Sequence, residues 1–413
     1  MHNNELGKVS INNKESFMGF FKNLFIKSNL KQYNATKFIT GMRGYSILAV
    51  FLIHSGGGGL REFSHLTNEI VDKGKYGVIS FFVISAFTIA MSIDKSISSN
   101  VFNYLRYLLN RWLRIFPLFF IVALYAFIIG GNSYYLNIFN VKNNLINFIS
   151  QISLLNVFFV KHKNNLIGVE WILPIEFFYY LLFPIFFTIL SSIKKNKVLY
   201  ALLMLIILAI SLNSDRLMSP FYSHSFTSFL SGFSFGKFKI SEFFNPNFRC
   251  LADHWGLLKY LFTFMAGFTV YFIYKSNYFK KLISEKKYSN IINNVIFIAI
   301  LLVGITLIVV SKEIIEEIIV TIFMCLLLLA SYYRGFLVRL LFENPIIMHI
   351  GKISYSFYLI HLFVLGFVKQ YSPPLNMLIS LIFAIILSTA TYYLIEKPFV
   401  NLGRIFYRRK SNT

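Results

Sequence analysis

The chain has 413 residues, of which 56% are hydrophobic, and it carries 40 basic against 17 acidic residues for a net charge of +23. Soluble domains are about 45–50% apolar even when glycine is counted, so this composition excludes an ordinary soluble protein. Basic charge in a soluble protein points to nucleic acid. In a chain rich in long apolar runs, Lys and Arg instead hold cytoplasmic loops in place, and we expect no nucleic-acid partner.

Residues 1–37 are polar and basic and contain one apolar cluster. The cluster runs from Phe17 to Ile26 and is interleaved with Lys22. This pattern fits an amphipathic helix lying on the membrane surface, or alternatively a disordered tail. The segment lacks the pattern of a cleavable signal peptide. The distribution of Lys and Arg among the later loops makes it a predicted cytoplasmic N-terminal segment.

Apolar runs then recur along residues 38–400, and many approach the length of about 20 residues that a membrane-spanning helix needs. They predict an all-α, polytopic integral membrane bundle of about ten transmembrane helices. The predicted spans are 38–55, 77–93, 113–130, 171–190, 198–212, 258–274, 291–310, 315–331, 352–369 and 376–395. A further apolar stretch, 145–160, is interrupted by Asn147, Gln151 and Asn156, and we interpret it as interfacial or re-entrant.

The distribution of Lys and Arg among the loops predicts the orientation of this bundle. Basic residues concentrate in alternate loops, at 94–112, 191–197, 275–290 and 332–351, and again in the tail 401–413. The predicted outer loop 213–257 fits this alternation least well, because it also holds four basic residues. By the positive-inside rule, both termini are predicted to be cytoplasmic, with residues 401–413 forming a basic cytoplasmic tail.

The first predicted span carries two ionisable residues, which are costly within a bilayer and therefore functional candidates. Arg43 lies near its inner end, and His54 follows eleven residues later, roughly 16 Å further along a helix. A histidine of near-neutral pKa can take a proton from a hydroxyl group. The alternative is a structural histidine that hydrogen-bonds a neighbouring helix.

A second candidate lies in the span that begins at Trp171. Glu176 is five residues from that start, roughly 7–8 Å below the predicted outer edge, which suggests a depth similar to that of His54. A carboxylate beside a histidine can orient it and stabilise its charged form. A purely structural ion pair is the alternative.

The third candidate is the pair Arg111 and Arg114, predicted at the inner entry of its span. Residues three apart share one face of a helix. Two guanidinium groups on one face suit a phosphorylated ligand, whereas the alternative is ordinary anchoring by the positive-inside rule.

Two further motifs lie near the end of the chain. The run Ser354-Tyr355-Ser356 leads to His361, which is predicted at mid-membrane, and Glu396-Lys397-Pro398 ends the last span. We interpret His361 as a packing or orienting group and Glu396 as structural.

Taken together, these segments resemble the acyltransferase-3 family of bacterial membrane O-acyltransferases, over about residues 38–400. Each motif is weak alone, but six occur in the right order and at the expected topological positions. They are Arg43 through His54, Gly77 through Ser85, Arg111-x-x-Arg114 with Pro117, Trp171 through Glu176 with Tyr179, Ser354-Tyr-Ser with His361, and Glu396-x-Pro398.

The resemblance implies an O-acyltransferase of the bacterial cytoplasmic (inner) membrane with no soluble domain appended. Its donor would be cytosolic acyl-CoA, acetyl-CoA as co-substrate in the usual case, with no permanently bound cofactor and no metal. Its acceptor would be a hydroxyl of a surface polysaccharide or lipopolysaccharide (O-antigen, capsule or exopolysaccharide), free or lipid-linked. The implied catalytic residues are His54, Glu176 and Arg43, the donor-side residues Arg111 and Arg114, and the supporting residues Ser85, Trp171, Tyr355 and His361.

This chain departs from the family pattern at two places. Ile172 and Pro174 stand where serines are common, which bears on the surroundings of Glu176. Ala86 follows Ser85 where the family commonly has glycine, which bears on a close helix contact.

Two other functions fit the same buried charges. A transporter or flippase for a lipid-linked sugar would use them as a translocation path, although the chain lacks the paired discontinuous spans typical of such proteins. A transferase of the same fold could also use another donor, such as succinyl-CoA.

Overall fold

The structure is a computed structural model that describes residues 37–56, 59–96, 101–130, 145–154, 166–218, 234–235, 238–239, 256–278, 290–310, 313–368 and 372–408. The predicted surface helix near residues 17–26 lies outside these ranges, as do residues 409–413 of the predicted tail.

The described residues are helical apart from turns and one short ladder. The first half contains α1 Lys37–Ser55, α2 Leu60–Phe63, α3 His65–Lys73, α4 Tyr76–Ser96, α5 Val101–Ile128, α6 Leu145–Ile152, α7 Ile172–Ile193, α8 Lys197–Leu212 and α9 Ser214–Met218. Two-residue strands, β1 Ser234–Phe235 and β2 Phe238–Lys239, pair antiparallel. The second half contains α10 Leu261–Lys275, α11 Asn290–Val310, α12 Glu313–Ser331, α13 Phe336–Phe342, α14 Pro345–Lys352, α15 Ser354–Phe367, α16 Pro373–Thr391, a π-helical turn Tyr392–Glu396 and α17 Lys397–Arg408.

Five helices are long and apolar enough to cross a membrane, or up to seven if each of two bent pairs forms one span. The five are Lys37–Ser55, His65–Asp94, Tyr104–Ile128, Ile172–Ile193 and Pro373–Gly403. The bent pairs are Ile315–Ser331 with Phe336–Phe342, at 117°, and Pro345–Lys352 with Ser354–Phe367, at 80°. The all-helical membrane class is therefore confirmed. All ten predicted spans coincide with a helix, whereas ten crossings and cytoplasmic termini remain predictions.

Three boundaries differ from the sequence-based expectations. Helix α5 begins at Val101, twelve residues before the predicted span, so Arg111 and Arg114 lie inside the helix and not at its entry. The apolar stretch after residue 144 forms only the eight-residue α6 in its described part, which at roughly 12 Å is too short to cross the bilayer. The helix after α16 continues through the π-helical turn to Arg408, past the predicted boundary at 400.

Helix α1 lies at the centre of the bundle and packs against α4, α13, α14 and α15. Its contact with α14 is so close that a Cβ added at Gly351 would lie 1.8 Å from the Thr40 carbonyl oxygen. Small residues allow membrane helices to approach at this distance. The contact holds the bent pair α14–α15, and with it His361, against the helix that carries Arg43 and His54.

The structure also shows how Ala86 is accommodated on α4. Helix α10 crosses α4 here, and a Cβ added at Gly267 would lie 2.6 Å from the Ala86 Cβ. Gly267 on α10 thus leaves room for the Ala86 methyl group, and the two helices stay in close contact.

Candidate active site

The bundle encloses a cavity of about 70 Å³ between α1, α4, α5, α7 and α15. Three arginines and one glutamate line it among apolar and aromatic side chains; they are Arg43, Arg111, Arg114 and Glu176. Ser85 and Tyr355, both predicted as supporting residues, also line this cavity. The structure therefore brings together residues from five separate sequence motifs.

Two of the three arginines are fixed by hydrogen bonds to α4. Arg43 donates to the Thr88 hydroxyl at 3.2 Å, and Arg111 donates to the Ser92 hydroxyl at 3.0 Å. Arg111 also lies over the rings of Tyr107 and Tyr180, 5.5 Å from each centroid, a cation–π arrangement. Both guanidinium groups are thus held in place by uncharged hydrogen-bond partners, and Glu176 is the one carboxylate that lines the cavity with them.

Arg114 differs from the other two. Among the residues that the structure describes, its guanidinium group makes no hydrogen bond, although the group carries five N–H donors. A partly buried cation with unused donors, beside two further arginines, is an arrangement suited to an anionic ligand.

Glu176 lies in the cavity and is held there by two hydroxyl groups. Ser85 donates to its Oε1 atom at 2.9 Å, and Tyr180 donates to the same oxygen. Tyr180 was not predicted from the sequence, although its position four residues after Glu176 places both on one helix face. Tyr179, the tyrosine of the family motif, instead donates to the Leu257 carbonyl at 2.5 Å and stacks on Phe264.

Both unusual residues in the Trp171–Glu176 motif fit into a regular helix. Ile172 and Pro174 are both within the first turn of α7, where proline is tolerated because the first N–H groups have no partner in the helix. Trp171 precedes the helix and packs near Tyr260, with ring centroids 6.1 Å apart, and it does not line the cavity.

The predicted contact between Glu176 and His54 is wrong. The Nδ1 atom of His54 lies 2.9 Å from Nε2 of His361, whereas Glu176 bonds Ser85 and Tyr180 beside Arg43. The cause is geometric. Arg43 and His54 are eleven residues apart on one face of α1, roughly 16 Å along its axis, and Glu176 lies at the depth of Arg43.

The histidine pair and the cavity are neighbours. Tyr358 lines the cavity, and its ring centroid lies 6.0 Å from that of His361, which is one turn further along α15. Tyr355 lines the cavity one turn earlier and donates to the Ile115 carbonyl on α5 at 2.6 Å. Helix α15 therefore lines the arginine-containing cavity with one turn and holds His361 of the histidine pair on the next.

A loop that the sequence did not single out, residues 166–170, is attached to α15 near this region. Glu170 is buried and accepts hydrogen bonds from the backbone N–H groups of Leu166, Ile167 and Gly168, at 2.8, 3.3 and 2.6 Å. Burial raises the pKa of the Glu170 carboxyl, and these N–H groups counteract that shift. Tyr358 donates to the carbonyl of Val169 in the same loop, so the loop is tied to α15.

The remaining predicted residue, Glu396, belongs to the π-helical turn and is buried. It accepts a hydrogen bond from Ser356 at 2.7 Å and does not line the cavity. The contact joins the last long helix to α15, and the structural role of Glu396 stays a prediction. Across the described residues, no group of three His, Cys, Asp or Glu side chains could hold a metal ion.

The comparison with protein families is decisive for the class. A family model described as an acyltransferase domain matches residues 36–397. The chain belongs to this acyltransferase family. It is therefore an enzyme that transfers acyl groups other than amino-acyl groups, and with its apolar helices it is a membrane acyltransferase. No curated protein and no solved structure matches the chain.

Proposed function

We propose that this membrane acyltransferase moves an acyl group, acetyl in the first instance, from cytosolic acyl-CoA to a hydroxyl of a bacterial surface glycan. The observation that carries the proposal is the cavity in which three guanidinium groups face one carboxylate. Coenzyme A is a multiply phosphorylated carrier, and guanidinium groups bind phosphate through paired, charge-assisted hydrogen bonds. A neutral sugar carries no negative charge with which this excess of positive charge could pair.

The size of the cavity limits how the donor binds. About 70 Å³ holds a few water molecules or one phosphate group, and not a whole coenzyme A. We therefore place the nucleotide at the cytoplasmic side of the bundle, with a phosphate reaching Arg114. The flexible pantetheine arm then carries the thioester the roughly 16 Å from the level of Arg43 to that of His54.

The proposed chemistry takes place at His54. The imidazole takes the proton of the acceptor hydroxyl as its oxygen attacks the thioester carbonyl carbon. The carbon–sulfur bond then breaks, and the leaving thiolate of coenzyme A recovers the proton. In the alternative route, His54 first carries the acyl group itself and then passes it to the acceptor. Both routes require an unprotonated ring nitrogen of His54 at the reacting carbon or hydroxyl.

The acceptor in this proposal arrives from the outer face of the cytoplasmic membrane, because that is the predicted side of His54. It is a glycan of O-antigen, capsule or exopolysaccharide type, free or lipid-linked. Arg43 and Glu176 have a different role from that of His54. They supply the charges of the cavity, which lies roughly 16 Å along α1 from the reacting atoms at His54. Ser85 and Tyr180 hold the Glu176 carboxylate in position.

The test measures acyl transfer by His54→Gln protein, with His65→Gln as the matched control. His65 lies on α3 and its side chain is 88% exposed. Acylation of the surface glycan, followed by mass spectrometry and normalised to membrane abundance, is expected to fall about 10²–10⁴-fold for His54→Gln and to remain unchanged for His65→Gln.

The donor is tested on purified wild-type protein. Consumption of acetyl-CoA that exceeds consumption of succinyl-CoA supports the acetyl assignment, and the reverse order replaces it with succinyl. Full glycan acylation by His54→Gln protein would refute the catalytic role of His54.

A further inference from the structure

The two ring nitrogens of His361 have different partners, which identifies the tautomer of the ring. Its Nδ1 atom lies 2.8 Å from the Tyr358 carbonyl oxygen and 3.1 Å from that of Phe357. A carbonyl oxygen only accepts hydrogen bonds, so Nδ1 must carry the proton. In a neutral imidazole the other nitrogen, Nε2, is then a hydrogen-bond acceptor.

The surroundings of His361 favour this neutral form. The side chain is completely buried, and within the described part of the chain its nitrogens contact carbonyl oxygens and His54 but no carboxylate. A buried cation without an acidic partner is strongly disfavoured. The rings of Phe51, Phe357 and Tyr358 surround the imidazole with centroids 6.0–6.4 Å away and hold its plane.

The tautomer of His361 determines that of His54. The Nε2 atom of His361 lies 2.9 Å from Nδ1 of His54. Because Nε2 of His361 accepts, Nδ1 of His54 must donate. His54 therefore keeps its lone pair on Nε2, the nitrogen directed away from the pair.

We propose that His361 is a positioning residue that presents His54 to the substrate as the tautomer with an unprotonated Nε2. The inference rests on the proposed function, in which His54 receives a proton or an acyl group. His361 takes the place that a carboxylate holds in many catalytic histidine sites, but it is neutral and is itself oriented by two backbone carbonyls. When His54 becomes an imidazolium, Nδ1 keeps its proton and its hydrogen bond to His361, so no proton has to leave the pair.

The kinetic test compares His361→Gln with His361→Met, two side chains of similar length and volume. The glutamine amide oxygen can accept a hydrogen bond near the former Nε2 position, whereas the methionine sulfur is only a weak acceptor. We expect kcat to stay within about tenfold for His361→Gln and to fall about 10²-fold for His361→Met, with KM for acetyl-CoA unchanged in both. Equal activity of the two variants, at either a high or a low level, would overturn the proposal.

A second measurement needs no variant at position 361 and does not depend on turnover. Nitrogen-15 NMR of histidine-labelled wild-type protein, with the His54→Gln protein used to assign the signals, reports which ring nitrogen of His54 carries hydrogen. The expected result is a protonated Nδ1 and an unprotonated Nε2. A protonated Nε2 in the resting enzyme would overturn the proposal even if acyl transfer is confirmed. The expected tautomer in a protein that consumes no acyl-CoA would instead refute the proposed function alone.

Discussion

Arg114 offers the sharpest test of the donor site, because its guanidinium group makes no hydrogen bond among the described residues, whereas Arg43 and Arg111 are held by hydroxyl groups. We expect Arg114→Gln to weaken binding of acetyl-CoA while the protein still inserts into the membrane. Glutamine keeps a polar side chain in the cavity and removes only the charge and the planar fork of donors.

The expected magnitude follows from the contacts that Arg114 has available. A hydrogen bond to a charged group contributes about 1.5–3 kcal/mol, and each 1.4 kcal/mol corresponds to a tenfold change in affinity. Losing one such bond should raise the Kd for acetyl-CoA about 10- to 150-fold. Arg114→Lys should recover little of this, because an ammonium group cannot form paired hydrogen bonds with a phosphate.

The assay is equilibrium binding of acetyl-CoA to purified protein in lipid nanodiscs, with Arg106→Gln as the matched control. Arg106 lies on the same helix, α5, but does not line the cavity. If the arginines only anchor the helix by the positive-inside rule, the two variants should behave alike. Unchanged affinity in Arg114→Gln, or equal losses in both variants, would refute the assignment of this cavity to the donor.

Two further predictions concern the bundle itself. Gly267→Ala should destabilise the protein by about 1–3 kcal/mol, because the new Cβ would lie 2.6 Å from the Ala86 Cβ. Gly366→Ala, whose new Cβ meets nothing within 4 Å, lies in the last turn of α15 and should stabilise the protein by at most about 0.5 kcal/mol. Thermal unfolding of the purified proteins checks both, and shifts of the same sign would contradict the packing argument. In a background without native cysteines, Ser64→Cys should react with an impermeant thiol reagent on intact cells and Ser276→Cys only after permeabilisation; labelling of Ser276→Cys from outside would reverse the predicted orientation.

Two chemical signals in the sequence were sufficient to predict the class of the fold and most of the residues around the site. Apolar runs of spanning length can only be helical in a bilayer, because every backbone polar group must be satisfied within the helix. Ionisable residues inside such runs are too costly to be incidental, which singled out Arg43, His54 and Glu176. The spacing of eleven residues also predicted that Arg43 and His54 lie roughly 16 Å apart along their helix.

The partners of those residues were decided only by the tertiary structure. Depth along separate spans is uncertain by several residues, and an error of one turn is enough to exchange one partner for another. Glu176 consequently lies with Arg43, Ser85 and Tyr180, while His54 lies with His361.

The bend between α14 and α15 explains why the pairing of the two histidines was not predictable. The sequence indicates one span over 352–369, but the chain turns by 80° at Ile353, and α14 approaches α1 closely because Gly351 has no side chain. Apolar periodicity determines that a segment is a helix and that it is buried in the membrane. It carries no information about the angle at which the next helix leaves, and that angle is what brings His361 to His54.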